Sequence, residues 1–266
     1  MDGKWSVCKA LTTNMRTLNN PLPLPGGVGL THLKVYDSPA PDGIRGGSAH
    51  VHFTCTEAYY VLRGRGRVQT LSYAGYAETP LETGQVVYFS PGVIHRLVND
   101  GELEILVVMQ NAGLPEAGDF VLAFDSETLE NAEKYARFAA LSSHGEVYTS
   151  DDEAAKHRRD HTVEGFAKWK RRFETEGESA LDEFYALALA LVQPKLQSWR
   201  AVWQGAPLEV ATQTGEQLDA LERGDIAHLK RGILGVLPAP DENRKWGMCG
   251  TLGIYPLPTF APITRP

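Results

Sequence analysis

His50-Val51-His52, followed by Glu57 and closed by His95 at the end of Ser90-Pro91-Gly92-Val93-Ile94-His95, restricts this chain to a narrow set of folds. In a strand, residues two apart point to the same face, so His50 and His52 can address one ion from neighbouring positions. Thr54-Cys55-Thr56 then turns the chain, and Glu57 opens a run of aromatic and branched residues through Leu62 that suits a second strand. One hairpin would thus deliver three ligands. The fourth, His95, follows the apolar run Val86-Val87-Tyr88-Phe89 and the turn signal Pro91-Gly92. Three imidazoles and a carboxylate suit Fe(II), Mn, Co, Ni or Zn better than Ca or Mg, which prefer all-oxygen shells.

Laid over whole motifs, these residues resemble the cupin superfamily. That family's first motif runs Gly, five residues, His-x-His, three or four residues, Glu, six residues, Gly; His50, His52, Glu57 and Gly64 match it. Its leading Gly is displaced here, with Ile44 at the expected place and Gly43, Gly46 and Gly47 around it. The second motif runs Gly, five residues, Pro-x-Gly, two residues, His, three residues, Asn, and Gly84, Gly92, His95 and Asn99 are in register. Ser90 stands at the Pro position, with Pro91 just after it. The departures fall on turns and leave the four metal positions intact. The resemblance implies a mainly β fold, a small jelly-roll β-barrel over residues 28–112. It also implies His50, His52, Glu57 and His95 as ligands of one divalent transition metal; the dioxygenase reading below favours Fe(II), with Mn, Ni, Co or Zn as alternatives.

Around this barrel the chain divides. Residues 1–27 read as an arm punctuated by Asn19-Asn20-Pro21 and Pro25-Gly26-Gly27. Thr31 to Tyr36 reads as a strand that turns inward either His32, Lys34 and Tyr36 or Thr31, Leu33 and Val35. The first choice would make Lys34 a substrate-binding or catalytic group. With Glu57 inward, strict alternation sends Tyr59 and Val61 the same way and Tyr60 outward, so Tyr59 is the other candidate catalytic residue. Gly64-Arg65-Gly66 reads as a tight hairpin, and Asn99-Asp100-Gly101 as a turn that Asn99 fixes. Residues 113–266 read as a helical extension and C-terminal arm packing on the barrel or on a partner subunit. Helices are expected from Asp125 or Ser126 toward Ala140, over Val163 to Glu174, over Ala180 to Trp203 with a division at Pro194, and over Glu216 to Leu229 with a break at Gly224. Trp246 to Tyr255 reads as a short strand or packed arm. His157 and His161 share a helix face and read as surface residues rather than a second metal site.

Composition removes other classes. The formal charge of the 266 residues is -7, with no basic stripe interleaved with aromatics, so nucleic acid is not an expected partner. Cys8, Cys55 and Cys249 form neither a disulfide framework nor a zinc-finger spacing. Met1 to Thr12 lacks the apolar core of a secretory signal, and no stretch approaches a membrane span, so a cytoplasmic protein is expected. The arms and barrel edges make a homodimer plausible. Three functional readings follow for a small organic substrate. The first is a mononuclear metal oxidoreductase, specifically a dioxygenase; the second is a metal-dependent isomerase or lyase acting through an enolate-like intermediate; the third is a non-enzymatic binding cupin.

Overall fold

A computed structural model describes residues 23–141, 150–240 and 242–257. The expected N-terminal arm lies outside the described residues up to residue 22, and so does most of the Pro-rich tail. The strands are β1 (Gly29–Val35), β2 (His50–Val51), β3 (Glu57–Ser72), β4 (Gly75–Glu82), β5 (Val86–Phe89), β6 (Ile94–Met109) and β7 (Val121–Leu122). Helices α1 (Ser126–Glu130), α2 (Ala132–Ala139), α3 (Asp151–Glu176), α4 (Glu178–Val192), α5 (Leu196–Gly205) and α6 (Pro207–Glu222) follow, and β8 (Lys245–Trp246) and β9 (Gly250–Ile254) return to the sheet. The sheet order is β4-β3-β6-β1-β9-β8, with β5 on β3, and β2 between β6 and β7. The pairings are antiparallel.

Alternation explains which side chains face in. Along β3, Glu57, Tyr59 and Val61 are buried while Tyr60 is exposed. On β6, Ile105 and Val107 are buried opposite Val61 and Tyr59. Leu33 and Val35 of β1 complete this inner layer, each apolar side chain contributing roughly 1.5–3 kcal/mol when fully buried.

Several local expectations change in the folded chain. Gly64 and Gly66 do not close a hairpin; they lie inside the 16-residue β3, where its register against β6 shifts. Gly64 has φ +76°, and a Cβ there would stand 2.2 Å from the Glu102 carbonyl oxygen, so glycine is required for the bulge. Asn99 clamps the facing irregularity by accepting from the Gly101 and Leu103 amides, both at 3.0 Å. Nor do β2 and β3 form a hairpin. β2 pairs β6 and β7, and the segment 52–56 crosses to β3. The helix expected from Asp125 to Ala140 is divided at Asn131, whose side chain caps α2 by accepting the Lys134 amide at 2.9 Å. α3 starts well before Val163, with Ser150 as its N-cap and three acidic residues in its first turn. α6 begins at Pro207 and stops before Gly224, whose φ of +73° ends helical geometry. Finally, β9 pairs with β1, so the sheet draws on residues far beyond 112.

The helices pack on the sheet. Val51, Leu71, Ile94 and Leu122 share one apolar core with Phe124, Phe166, Trp169, Leu181 and Phe184. Gly165 lets α3 approach, because a Cβ there would meet the Ala123 carbonyl oxygen at 2.2 Å. Among the described residues, no helix is long and apolar enough to cross a membrane.

Candidate metal centre

The topology converges four side chains on one point. His50 of β2 is the register partner of His95, the second residue of β6. His52 follows two positions on, and Glu57 enters at the first residue of β3. One ligand-capable atom from each of His50, His52, Glu57 and His95 lies within 4.8 Å of all the others, and all four residues are buried. Glu57 Oε2 is 3.2 Å from His95 Nε2 and 3.5 Å from His52 Nε2.

Each imidazole is oriented from behind. The Nδ1 atoms lie 3.1 Å from the Ser48 carbonyl for His50, 2.5 Å from the Asp119 carbonyl for His52 and 3.0 Å from the Val93 carbonyl for His95. A carbonyl only accepts, so each Nδ1 carries the proton and donates it, which leaves Nε2 as a lone-pair donor toward the cluster. His52 Nε2, His95 Nε2 and Glu57 Oε2 are buried without hydrogen-bond partners. Orphaned buried polar atoms are costly, and a divalent cation satisfies this set. The donor set therefore fits one transition metal.

Electrostatics favour the forms a metal needs. Burial pushes His50 well below the ordinary imidazole value, and the His95 and His52 rings act in the same direction. Burial also lowers His52, against the opposing Glu57 charge. For Glu57, burial would raise the pKa, but the adjacent His95 ring, and after it the His52 ring, hold it below the ordinary value. Neutral imidazoles beside an ionised carboxylate are the ligating states. In the unfolded chain His50 and His52 take up protons near 6.5, and in the folded chain only at lower pH. Their contribution to stability is complete above that value and is lost as pH falls toward the depressed folded pKa. The thermal midpoint of chelator-treated protein is accordingly expected to drop as pH falls below about 6.5, and His50→Gln to flatten that slope; a midpoint independent of pH there would contradict the burial argument.

Residues 40–109 match the family model described as Cupin domain, and that stretch contains all four converging side chains. The chain contains a cupin domain. No curated protein matches the sequence. Similar solved structures include Pac13, a nucleoside dehydratase, at 16% identity and TM-score 0.27, covering 36% of this chain and 67% of that one. WlaRA, a TDP-fucose-3,4-ketoisomerase from Campylobacter jejuni, is 11% identical with TM-score 0.29, covering 35% and 64%. The Drosophila melanogaster CENP-C cupin domain is 15% identical with TM-score 0.25, covering 31% and 58%. The chain thus spans about two thirds or less of the length of these solved chains.

Within the cupin domain, the two other candidate residues separate. Tyr59 faces inward and is buried, and its hydroxyl has no hydrogen-bond partner. Burial, and then the neighbouring Glu57 charge, push its pKa well above the ordinary phenol value, so the hydroxyl keeps its proton and can donate a hydrogen bond. Lys34 does not reach the centre. β1 turns Leu33 and Val35 inward, which puts Lys34 on the outer face with a half-exposed side chain 3.7 Å from Glu104. The apolar alternative for this strand prevails because a lysine inside would have to be desolvated. Gln110 likewise caps rather than lines the cavity, its Oε1 accepting the Thr56 amide at 3.3 Å.

Three contributors carry no metal-ligand signature. Phe89 lies tilted against His95 with centroids 4.3 Å apart, and Phe120 meets His52 edge-on at 6.4 Å. Phe89 belonged to a strand-like apolar run, which marks a core position and nothing more. Asp119 lies beyond the motifs, and no spacing rule points to it.

Proposed function

We propose that this protein is a mononuclear metal-dependent oxidoreductase, a dioxygenase acting on a small organic substrate. The observation that carries the reading is the company the cluster keeps. Nε2 lone pairs and an ionised Glu57 converge, and the titratable groups beside them are held protonated. Tyr59 is one; Cys249, pushed up to about 12 by burial and then by Glu57, is another. Such neighbours donate hydrogen bonds and are poor bases at neutral pH. With Fe(II) in that donor set, a buried setting of this kind, walled by hydrogen-bond donors, suits the binding of O2 and an organic substrate side by side. When bound, Fe(II), or Mn, Ni, Co or Zn with the same donor preference, supplies a Lewis-acid centre with coordination positions beyond the four protein ligands, and Fe(II) also supplies redox chemistry.

The chain's own groups then have defined work. The carbonyls of Ser48, Asp119 and Val93 hold the three imidazoles in one tautomer. Phe89 and Phe120 shield the histidines from water. Tyr59 presents its hydroxyl proton to an oxygen atom of substrate or O2 beside Glu57.

The first test is metal analysis of protein purified anaerobically without added metal, followed by O2-uptake screening against small organic acids, sugars and phenols. Near-stoichiometric Fe with substrate-dependent O2 consumption supports the reading, and turnover without O2 consumption overturns it. In the active protein, Tyr59→Phe is expected to reduce turnover by about 10- to 100-fold, the worth of a hydrogen bond to a developing charge, with metal content unchanged. Unchanged turnover would remove Tyr59 from the chemistry.

A further inference from the structure

The family match ends at residue 109, but the contacts that shape the metal centre continue past it. Asp119 is wholly buried. Its Oδ1 accepts the Phe53 amide at 3.0 Å and the Thr54 amide at 3.1 Å, and its Oδ2 accepts the Thr54 hydroxyl at 2.8 Å. Its main-chain carbonyl accepts His52 Nδ1 at 2.5 Å. One residue thereby holds both the ring of His52 and the backbone immediately after it. That backbone is the crossing from β2 to β3, so its path sets how far His52 stands from Glu57. Asp119 is itself held in place. Its amide donates to the Leu114 carbonyl at 3.0 Å, and the turn before it is braced by Trp199 Nε1 on α5, which donates to the Ala117 carbonyl at 3.1 Å.

We infer that Asp119 is the positioning residue of the metal centre: its carboxylate fixes the 52–54 crossing while its carbonyl turns His52 Nε2 toward the other three ligands. The inference rests on the metal reading above. Hydrogen bonds accepted by a carboxylate are stronger than neutral ones, so two successive amides and the Thr54 hydroxyl donating to Asp119 hold the crossing more firmly than a turn of the same length would hold itself. Asparagine in its place keeps the carbonyl and one acceptor but turns a donor toward the Thr54 amide and hydroxyl. Alanine removes every side-chain bond to Phe53 and Thr54.

The experiment uses the full chain and Co(II) as probe, with affinity and release rate measured by chelator competition and the ligand field read from the Co(II) visible spectrum. Asp119→Ala is expected to bind about 10- to 100-fold more weakly, the usual effect of losing an orienting partner behind a ligand, with faster release and an altered spectrum. Asp119→Asn is expected to fall between it and the wild type. Asp125→Ala removes the cap of α1, where Asp125 accepts the Thr128 amide at 3.1 Å, and is expected to lower the thermal midpoint while leaving Co(II) affinity and spectrum unchanged. Should Asp119→Ala fail to fold, Asp119→Asn carries the comparison. Wild-type affinity and spectrum in the folded Asp119 variants would overturn the inference and reduce Asp119 to a turn anchor. A wild-type chain that takes up no Co(II), Fe(II), Mn, Ni or Zn would instead overturn the metal reading and this inference with it.

Discussion

His95→Ala is expected to lose the metal, with affinity down by at least about 100-fold, because even the groups behind a ligand are worth about 10- to 100-fold. His95 is fully buried, its Nε2 sits 3.2 Å from Glu57 Oε2, and its position on β6 is locked by pairing with both β2 and β3. Alanine leaves no donor at that register position. The same substitution has a second signature in the metal-free protein. There His52 Nε2, His95 Nε2 and Glu57 Oε2 are buried and unpartnered, each costing about 1–3 kcal/mol. Removing one of them offsets part of the packing lost with the ring, but it also takes from buried Glu57 the contact that keeps its carboxyl below the ordinary value, so the metal-free thermal midpoint should fall. Added metal should raise the wild-type midpoint by mass action and leave that of His95→Ala where it is. His157→Ala, on α3, should behave as wild type. Glu57→Gln retains most of the side-chain volume and removes the anionic charge, so it should weaken binding without the loss of fold. Equal metal content across His95→Ala, Glu57→Gln and His157→Ala would overturn the ligand assignment.

What the sequence made readable depended on whether the relevant physics was local. His50, His52 and Glu57 lie within eight residues, and strand alternation is enough to place Glu57, Tyr59 and Val61 on one face with Tyr60 on the other. The motif around His95 adds the last ligand. Lys34 shows the limit: a strand with polar residues on one face and apolar ones on the other has two orientations, and only the barrel interior decides between them. Gly64 and Gly66 show another. A pair of glycines signals positive φ or close approach, and whether that becomes a hairpin or a bulge depends on a partner strand some 35 residues away. Gly250 is a similar case, since its meaning lies in the Lys34 carbonyl, 1.9 Å from where a Cβ would stand once β9 docks on β1. Asp119 was the least readable. It acts on a residue 67 positions away, partly through its own main-chain carbonyl, and no side-chain pattern encodes that.

Trp169→Ala is expected to cost about 3–5 kcal/mol, the range for removing a large buried aromatic side chain. In a chain of this size that is a fall in thermal midpoint of roughly 6–20 °C, at about 2–4 °C per kcal/mol. The indole is 1% exposed, stands edge-on to Phe184 of α4 at 5.2 Å, and its Nε1 donates to the Phe124 carbonyl at 2.7 Å. Alanine would leave a cavity between α3 and α4 and a buried carbonyl without its donor. Trp169→Phe fills most of the space and loses only the hydrogen bond, so it should cost about 1–3 kcal/mol. The distinctive consequence is at the metal. Phe124 follows β7, β7 pairs with β2 at His50, and on α3 Thr162 Oγ1 accepts the Ala49 amide at 3.0 Å. α3 therefore grips the strand that carries His50 from two sides, and loosening it should speed metal release at temperatures well below unfolding. Differential scanning calorimetry and chelator-driven release rates on the same two variants separate the effects. A lower midpoint with faster release would mean that the helices form part of the metal centre's scaffold. A lower midpoint with wild-type release would mean that they stabilise the fold, while the strands and the Asp119 turn alone hold the ligands.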